Sequence, residues 1–304
     1  FSGERKPTGS VGSVNNIYDM AGNMHDWVVG ALAHYGRVLR GWGYNDSTDY
    51  SNAGSYTYNV PSFSYNDCTS RLSLYIPASS SVTEKTYVKN GLILHLDGIN
   101  NTGSSHSNTS TIWKDLSGNN NDGTIKGASW INNGLAFDGV NDWVPIKELN
   151  YPEFTAEVTF SVNKLDGSEN GIRIICNHQT GGFDIEINNN NIACFPYING
   201  EYKSMRDNSE IIINKKYNAT ITTNGVESKL YVNGTLISSI SVKDGVIGYP
   251  LNNTVVTLGA NPKGTSAEAQ FFNGTIYSAR MYNRVLTEQE IKNNYEIDKS
   301  RFGM

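Results

Sequence analysis

Phe272-Asn-Gly-Thr-Ile-Tyr-Ser-Ala-Arg-Met-Tyr-Asn-Arg284 sets an Asn-Gly turn signal against a strand-like run. Three other stretches repeat that pairing: Leu230-Tyr-Val-Asn-Gly234, Phe137-Asp-Gly-Val-Asn-Asp-Trp143 and Asp115-Leu-Ser-Gly-Asn-Asn-Asn-Asp-Gly-Thr124. Asn and Asp tolerate left-handed backbone and Gly accepts it freely, so such pairs punctuate strands. Between the turns the chain alternates. Leu92, Leu94 and Leu96 alternate with Ile93, His95 and Asp97; Phe154, Ala156, Val158 and Phe160 with Thr155, Glu157 and Thr159; Phe183, Ile185 and Ile187 with Asp184 and Glu186. Period-two alternation predicts one buried and one wet face per strand. Many short antiparallel strands of this kind close most naturally as two packed sheets. The expected fold class is therefore mainly β, a two-sheet antiparallel sandwich.

One helix is expected near the end. Thr287-Glu-Gln-Glu290 fits a capping box, and Ile291 and Tyr295 then share a face. The order and spacing of the four strand-turn stretches, followed by this helix, resemble the laminin-G-like, concanavalin A-like jelly-roll family over residues 91–304. That resemblance implies a fold that usually binds something outside the cell and only sometimes cuts it.

Composition narrows the classes. The chain has 304 residues, a net charge of -5 and only 17% charged residues, so no basic patch points to nucleic acid. Mean hydropathy is -0.42, and no apolar run approaches the length of a membrane span. Phe1 is not a natural start, so an excised or processed piece is expected, with Arg301-Phe-Gly-Met304 as a natural end. The cysteines Cys68, Cys176 and Cys194 lack metal-ligand spacing. Cys176 and Cys194 lie in neighbouring strand-like runs; buried free thiols are expected, with pairing as the alternative.

Residues 1–76 read differently, and Pro77-Ala-Ser-Ser-Ser-Val-Thr-Glu-Lys-Thr86 looks like a linker, taken as 77–90. Asn15-Asn-Ile-Tyr-Asp-Met-Ala-Gly-Asn-Met-His-Asp-Trp-Val28 resembles the core motif of the formylglycine-generating-enzyme (sulfatase-modifying-factor) family. Arg37-Val-Leu-Arg-Gly-Trp42 and Ser70-Arg71 continue that likeness. It implies a smaller, incomplete C-type-lectin-like segment. His25 and Asp26 replace the family's usual Trp-Glu pair, and Cys68 alone cannot form the two-thiolate copper site of the oxidase branch.

Candidate sites follow. From Tyr44 to Asp67 the chain is dominated by Tyr, Ser, Asn and Asp, without Lys, Arg or Glu. Tyr supplies contact area at low entropic cost while Ser and Asn adapt their hydrogen bonds, so this is the chemistry of a binding surface. It also resembles the variable region of C-type-lectin-like proteins diversified by retroelements. Trp42, Tyr44, Asn45, Tyr50, Tyr56, Tyr58 and Tyr65 are its ligand-binding candidates; Tyr197 and Tyr202, in a polar run, are those of the later region. Asp97, Asp115 and Asp122 sit among turn oxygens that could suit a hard cation. The jelly-roll resemblance implies a structural Ca²⁺ there; turn closure by side-chain hydrogen bonds is the alternative. Asp184 and Glu186 share a sheet face about 6–7 Å apart, within reach of a glycosidase pair. The Glu-x-Asp-x-x-Glu pattern of laminarinase-like relatives is absent, and a wet strand face is the expectation.

These features point to a non-catalytic extracellular adhesin or receptor-binding protein that recognises a surface glycan or protein, on a bacterial cell surface or a phage particle. The alternatives are a glycoside hydrolase or its carbohydrate-binding accessory module, and a structural subunit of a filament or virion.

Overall fold

The computed structural model describes residues 85–165, 171–250, 254–263 and 266–304, together with strand segments at 13–14, 17–18, 25–32, 36–41, 56–59 and 68–69. The chain divides into two compact units, Phe1–Val82 and Thr83–Met304. In the first unit, His25–Leu32 pairs antiparallel with Gly36–Gly41 and parallel with Cys68–Thr69, and Tyr56–Asn59 pairs antiparallel with Gly36–Gly41. The remainder of the formylglycine-generating-enzyme-like motif lies outside the described residues.

The second unit is a sandwich. Its first sheet contains β1 (Leu92–Asp97), β2 (Ser129–Ile131), β3 (Gly134–Asp138), β5 (Phe154–Val162), β12 (Lys216–Thr223), β13 (Glu227–Val232), β14 (Thr235–Ser241) and β16 (Asn273–Tyr282). The order is β2-β3-β16-β5-β12-β13-β14, with β1 also on β16. The second sheet contains β4 (Val144–Pro145), β6 (Ile172–Cys176), β7 (Asp184–Asn188), β8 (Asn191–Cys194), β11 (Met205–Glu210) and β15 (Thr257–Leu258), in the order β4-β15-β6-β7-β8-β11. A small hairpin, β9 (Tyr197–Ile198) with β10 (Glu201–Tyr202), projects between β8 and β11.

The inward apolar residues of both sheets form one core. Phe154 on β5 meets Phe183 at the start of β7 with ring centroids 4.7 Å apart, and Phe160 meets Phe272 at 6.2 Å. Trp113 is fully buried in the same core. Asn233 and Gly234 both adopt positive φ between β13 and β14, as a two-residue hairpin turn requires. A Cβ on Gly234 would also lie 2.8 Å from the Tyr295 ring. Asn273-Gly274, read as a turn, instead opens β16: Gly274 pairs with Phe137 on one side and Val162 on the other.

The wet faces expected from the alternation are not wet. Every residue of β5 is buried, and so is every residue of β16 beyond Asn273. The cause is helix α1 (Glu288–Phe302), which lies over the outer face of the first sheet and contributes buried Ile291, Asn294, Ile297 and Asp298. Residues 86–88, assigned to a linker, dock on the same helix. Tyr87 donates to Asp298 at 2.7 Å, Val88 N–H to Asn294 at 3.0 Å, and Asn293 to the Thr86 carbonyl at 2.9 Å. Between sheet and helix lies a buried ionic network. Arg280 donates to Glu157 Oε2 at 2.9 Å, to Asp298 Oδ1 at 2.9 Å and to Asp298 Oδ2 at 2.7 Å; Thr159 Oγ1 donates to Asp298 at 2.6 Å.

The capping box is formed as expected. Thr287 N–H donates to Glu290 and Glu290 N–H to the Thr287 hydroxyl. Glu290 also receives both Arg284 guanidinium nitrogens, at 2.9 and 2.6 Å. The hydrogen bonds from Arg284 outweigh the opposing effect of burial and pull the Glu290 carboxyl down to about 2. Its folded value is depressed, so its contribution is present above the unfolded value and is lost as pH falls through about 2. Glu290→Ala should lower stability at neutral pH by roughly 1 kcal/mol. Urea midpoints at pH 7 and pH 3 check this, with the smaller difference expected at pH 3.

Candidate functional site

Strand pairing builds the site on the face of the second sheet turned away from the core. Ile175 lies opposite Ile185, and Ile172 opposite Ile187, all packed inward. The intervening positions bring Arg173 opposite Glu186 and Cys176 opposite Asp184. The row continues from Glu186 through Ala193 to Arg206. One face of this sheet is thus a polar row: Arg173, Glu186 and Arg206, with Asn188 accepting from Arg206 at 2.6 Å and donating to Glu186 at 2.8 Å.

Asp184 and Glu186 share this face, as their spacing predicts, but it is not solvated. Asp184 is 0% and Glu186 2% exposed. Arg173 Nη1 pairs with Glu186 and lies 3.4 Å from Asp184 Oδ2. Gly171 closes over Glu186: at φ 71 its Cβ would stand 2.2 Å from Oε2. Two carboxylates held by one guanidinium are structural ion-pair partners. A glycosidase pair must reach both sides of a scissile bond, and these oxygens are turned into the protein.

The accessible part of the face lies beside them. His178 Nδ1 contacts Asp184 Oδ2, and the His178 side chain is 21% exposed. The His178 ring stacks on Tyr202 at 3.9 Å and 5°, and Tyr197 meets Tyr202 edge-on at 4.7 Å. Loop bonds fix this group. Tyr202 Oη donates to Gly181 O at 2.9 Å and accepts from Gly181 N at 3.0 Å. Tyr197 N–H donates to Gly182 O at 2.8 Å and its carbonyl accepts from Gly248 at 3.0 Å. Burial pushes the Tyr202 hydroxyl up to about 12, so it stays a neutral donor.

The structure therefore brings Tyr197 and Tyr202 together, as neighbours across the β9–β10 hairpin. Sequence reasoning missed Arg173 and His178. The signal for Arg173 was an isolated charge inside Ile172-Arg-Ile-Ile175; that for His178 was its place in the loop leading into Gly181-Gly182. Trp42, Tyr44, Asn45, Tyr50 and Tyr65 lie outside the described residues. Tyr56 and Tyr58 fall on the strand Tyr56–Asn59, of which only the backbone is described. Cys176 and Cys194 are both buried free thiols. Burial is the main cause that pushes Cys176 up to about 11.

The three acidic residues proposed for Ca²⁺ are already engaged. Asp97 Oδ1 accepts from Ile99 and Asn100 at 2.8 and 3.2 Å, and Oδ2 pairs with Arg301. Asp115 accepts from His95 N and Ser117 N at 2.9 Å each, from Ser117 Oγ at 2.7 Å and from Asn121 N at 2.9 Å. Asp122 accepts from Asp115 N at 2.9 Å and Lys114 at 2.7 Å. Among the described residues no group of three His, Cys, Asp or Glu side chains could hold a metal. These carboxylates close loops, and the set does not fit a resident cation.

The sequence model described as the Concanavalin A-like lectin/glucanases superfamily matches residues 137–292. No curated protein matches the chain. Among solved structures, the receptor binding domain of botulinum neurotoxin D is 20% identical, with a TM-score of 0.53 over 69% of this chain and 53% of that one. The binding domain of Paraclostridial Mosquitocidal Protein 1 is 19% identical, with a TM-score of 0.53 over 70% and 53%. Trypanosoma rangeli sialidase in complex with sialic acid is 18% identical, with a TM-score of 0.50 over 69% and 33%. The chain thus spans about half the length of the toxin domains and about a third of the sialidase, and at these identities the likeness is one of fold.

Proposed function

This chain belongs to the concanavalin A-like lectin/glucanases superfamily, and on that premise we propose that it binds a glycan without cutting it, at the Tyr197–Tyr202–His178 platform. The observation that carries this reading is the stack itself. Tyr202 is backed by His178 at 3.9 Å and flanked by Tyr197 at 4.7 Å. Rigid, half-buried rings offer an apolar surface at low entropic cost, and the polar loop around them supplies orientation. The buried Arg173–Asp184–Glu186 group serves as its foundation. The role is that of an extracellular adhesin or receptor-binding protein, borne on a cell surface or a phage particle, with assembly into a filament or virion compatible with it. The botulinum neurotoxin D domain of similar fold is a receptor binding domain. The Tyr- and Ser-rich stretch before residue 76 would add a second recognition surface, acting through effective concentration.

A glycan array probed with the whole chain identifies the ligand. Tyr197→Ala should then weaken binding about tenfold or more. Unchanged binding by Tyr197→Ala would remove the platform from the reading. Reducing-sugar release abolished by Asp184→Asn with Glu186→Gln would replace binding with hydrolysis.

A further inference from the structure

A second concave site lies far along the chain from the platform residues. A cavity of ≈ 720 Å³ opens between the 85–89 segment, β1, the Leu116–Ser117 loop and the last turns of α1. This volume suits a small organic ligand. Its lining carries three cations, Lys85, Lys89 and Arg301, against one carboxylate, Glu296. The acids nearest its floor are already spent: Asp97 on Arg301 and backbone amides, Asp298 on Arg280, Thr159 and Tyr87. The ammonium groups of Lys85 and Lys89 make no hydrogen bond or ion pair among the described residues.

The floor is His95, 8% exposed, whose Nε2 has no hydrogen-bond partner and lies 3.9 Å from Asp97 Oδ2; Arg301 Nε is a buried donor without a partner. Unmade bonds of buried polar groups cost stability, so a ligand able to satisfy them gains in proportion. Burial is the main cause that pushes the His95 imidazole down to about 3; Arg280 and Arg301 add to it and Asp298 opposes it. Tyr87, Leu92 and Ile297 give the walls an apolar character.

We propose that this cavity binds a small oxyanion, a carboxylate or sulfate, carried on a hydroxylated body such as an acidic sugar. Arg301 and the two lysines would hold the charge, in the charge-assisted geometry that suits oxyanions, and the Tyr87 wall would hold the body.

The whole chain is titrated at low ionic strength with glucuronate, glucose and inorganic sulfate, following the His95 imidazole signals by NMR. Saturable shifts with glucuronate or sulfate, and none with glucose, are expected. Glucuronate bound more tightly than sulfate assigns an acidic sugar; sulfate bound as tightly assigns the bare oxyanion, and either supports an anion site. Lys85→Gln with Lys89→Gln, both exposed, should weaken binding by roughly five- to tenfold without moving the melting midpoint. No saturable shift with either anion, equal affinity for glucose, or unaltered affinity in the double variant would overturn the proposal.

Discussion

Arg280→Met is expected to destabilise the jelly-roll unit by about 3–5 kcal/mol. Arg280 is 1% exposed and is the cation shared by Glu157 and Asp298, themselves 1% and 0% exposed. Removing it leaves two carboxylates without a counter-charge in a site that water does not reach. The two acids differ in how they depend on it. For Asp298, burial acts to raise the carboxyl, but Arg280 and the hydrogen bonds from Arg280, Thr159 and Tyr87 outweigh it and hold the group below its ordinary value. For Glu157, burial wins over Arg280 and the carboxyl is raised. A depressed folded value contributes stability above the unfolded value and loses it as pH falls; a raised one does the reverse. At neutral pH, therefore, Asp298→Asn should cost substantially more than Glu157→Gln. Urea denaturation of the three variants at pH 7 tests the ranking. Equal midpoints for Arg280→Met and the parent would mean that the network carries no net charge compensation.

This network also marks where the sequence stopped being legible. Alternation correctly placed Phe154, Val158 and Phe160 in the core and their neighbours on the opposite face. It could not say that α1 would cover that face, because period two records polarity along a strand and not what packs above it. The helix itself was readable, since a capping box is a local arrangement of four residues. The unread information was the pairing of distant charges: Glu157 with Arg280, 123 positions apart, and Tyr87 with Asp298, 211 apart. Asp184 and Glu186 carried the same ambiguity. A strand reading Asp-Ile-Glu-Ile fits a solvated face, a catalytic pair or an ion-paired layer, and only the register opposite Arg173 decides among them. The carboxylates of Asp97, Asp115 and Asp122 looked like cation ligands for a similar reason. Turn-closing Asp and metal-binding Asp have the same local composition, and the difference lies in whether backbone amides already fill the oxygens.

Arg173→Met is the second large expected effect, again about 3–5 kcal/mol, and it separates structure from function on the proposed binding face. Arg173 is 6% exposed and is the guanidinium paired with both Asp184 and Glu186. His178 remains as a neighbour of Asp184, but it stacks on Tyr202 and makes no ion pair with Glu186 among the described residues. With Arg173 gone, both carboxylates are left buried on one strand, two residues apart. Converting them to amides in the same background, Arg173→Met with Asp184→Asn and Glu186→Gln, removes the charge that needed compensation and should recover most of the loss. The coupling between the steps, read from thermal or urea midpoints, isolates the ionic contribution from the change in packing. Glycan binding by the triple variant then completes the argument. If the group is the foundation of the platform, affinity returns with stability, because Tyr197 and Tyr202 regain their support without any carboxylate beneath them. If affinity stays lost in a variant whose stability has returned, the carboxylates act on the ligand themselves, and the platform reading gives way to one in which Asp184 and Glu186 reach the sugar.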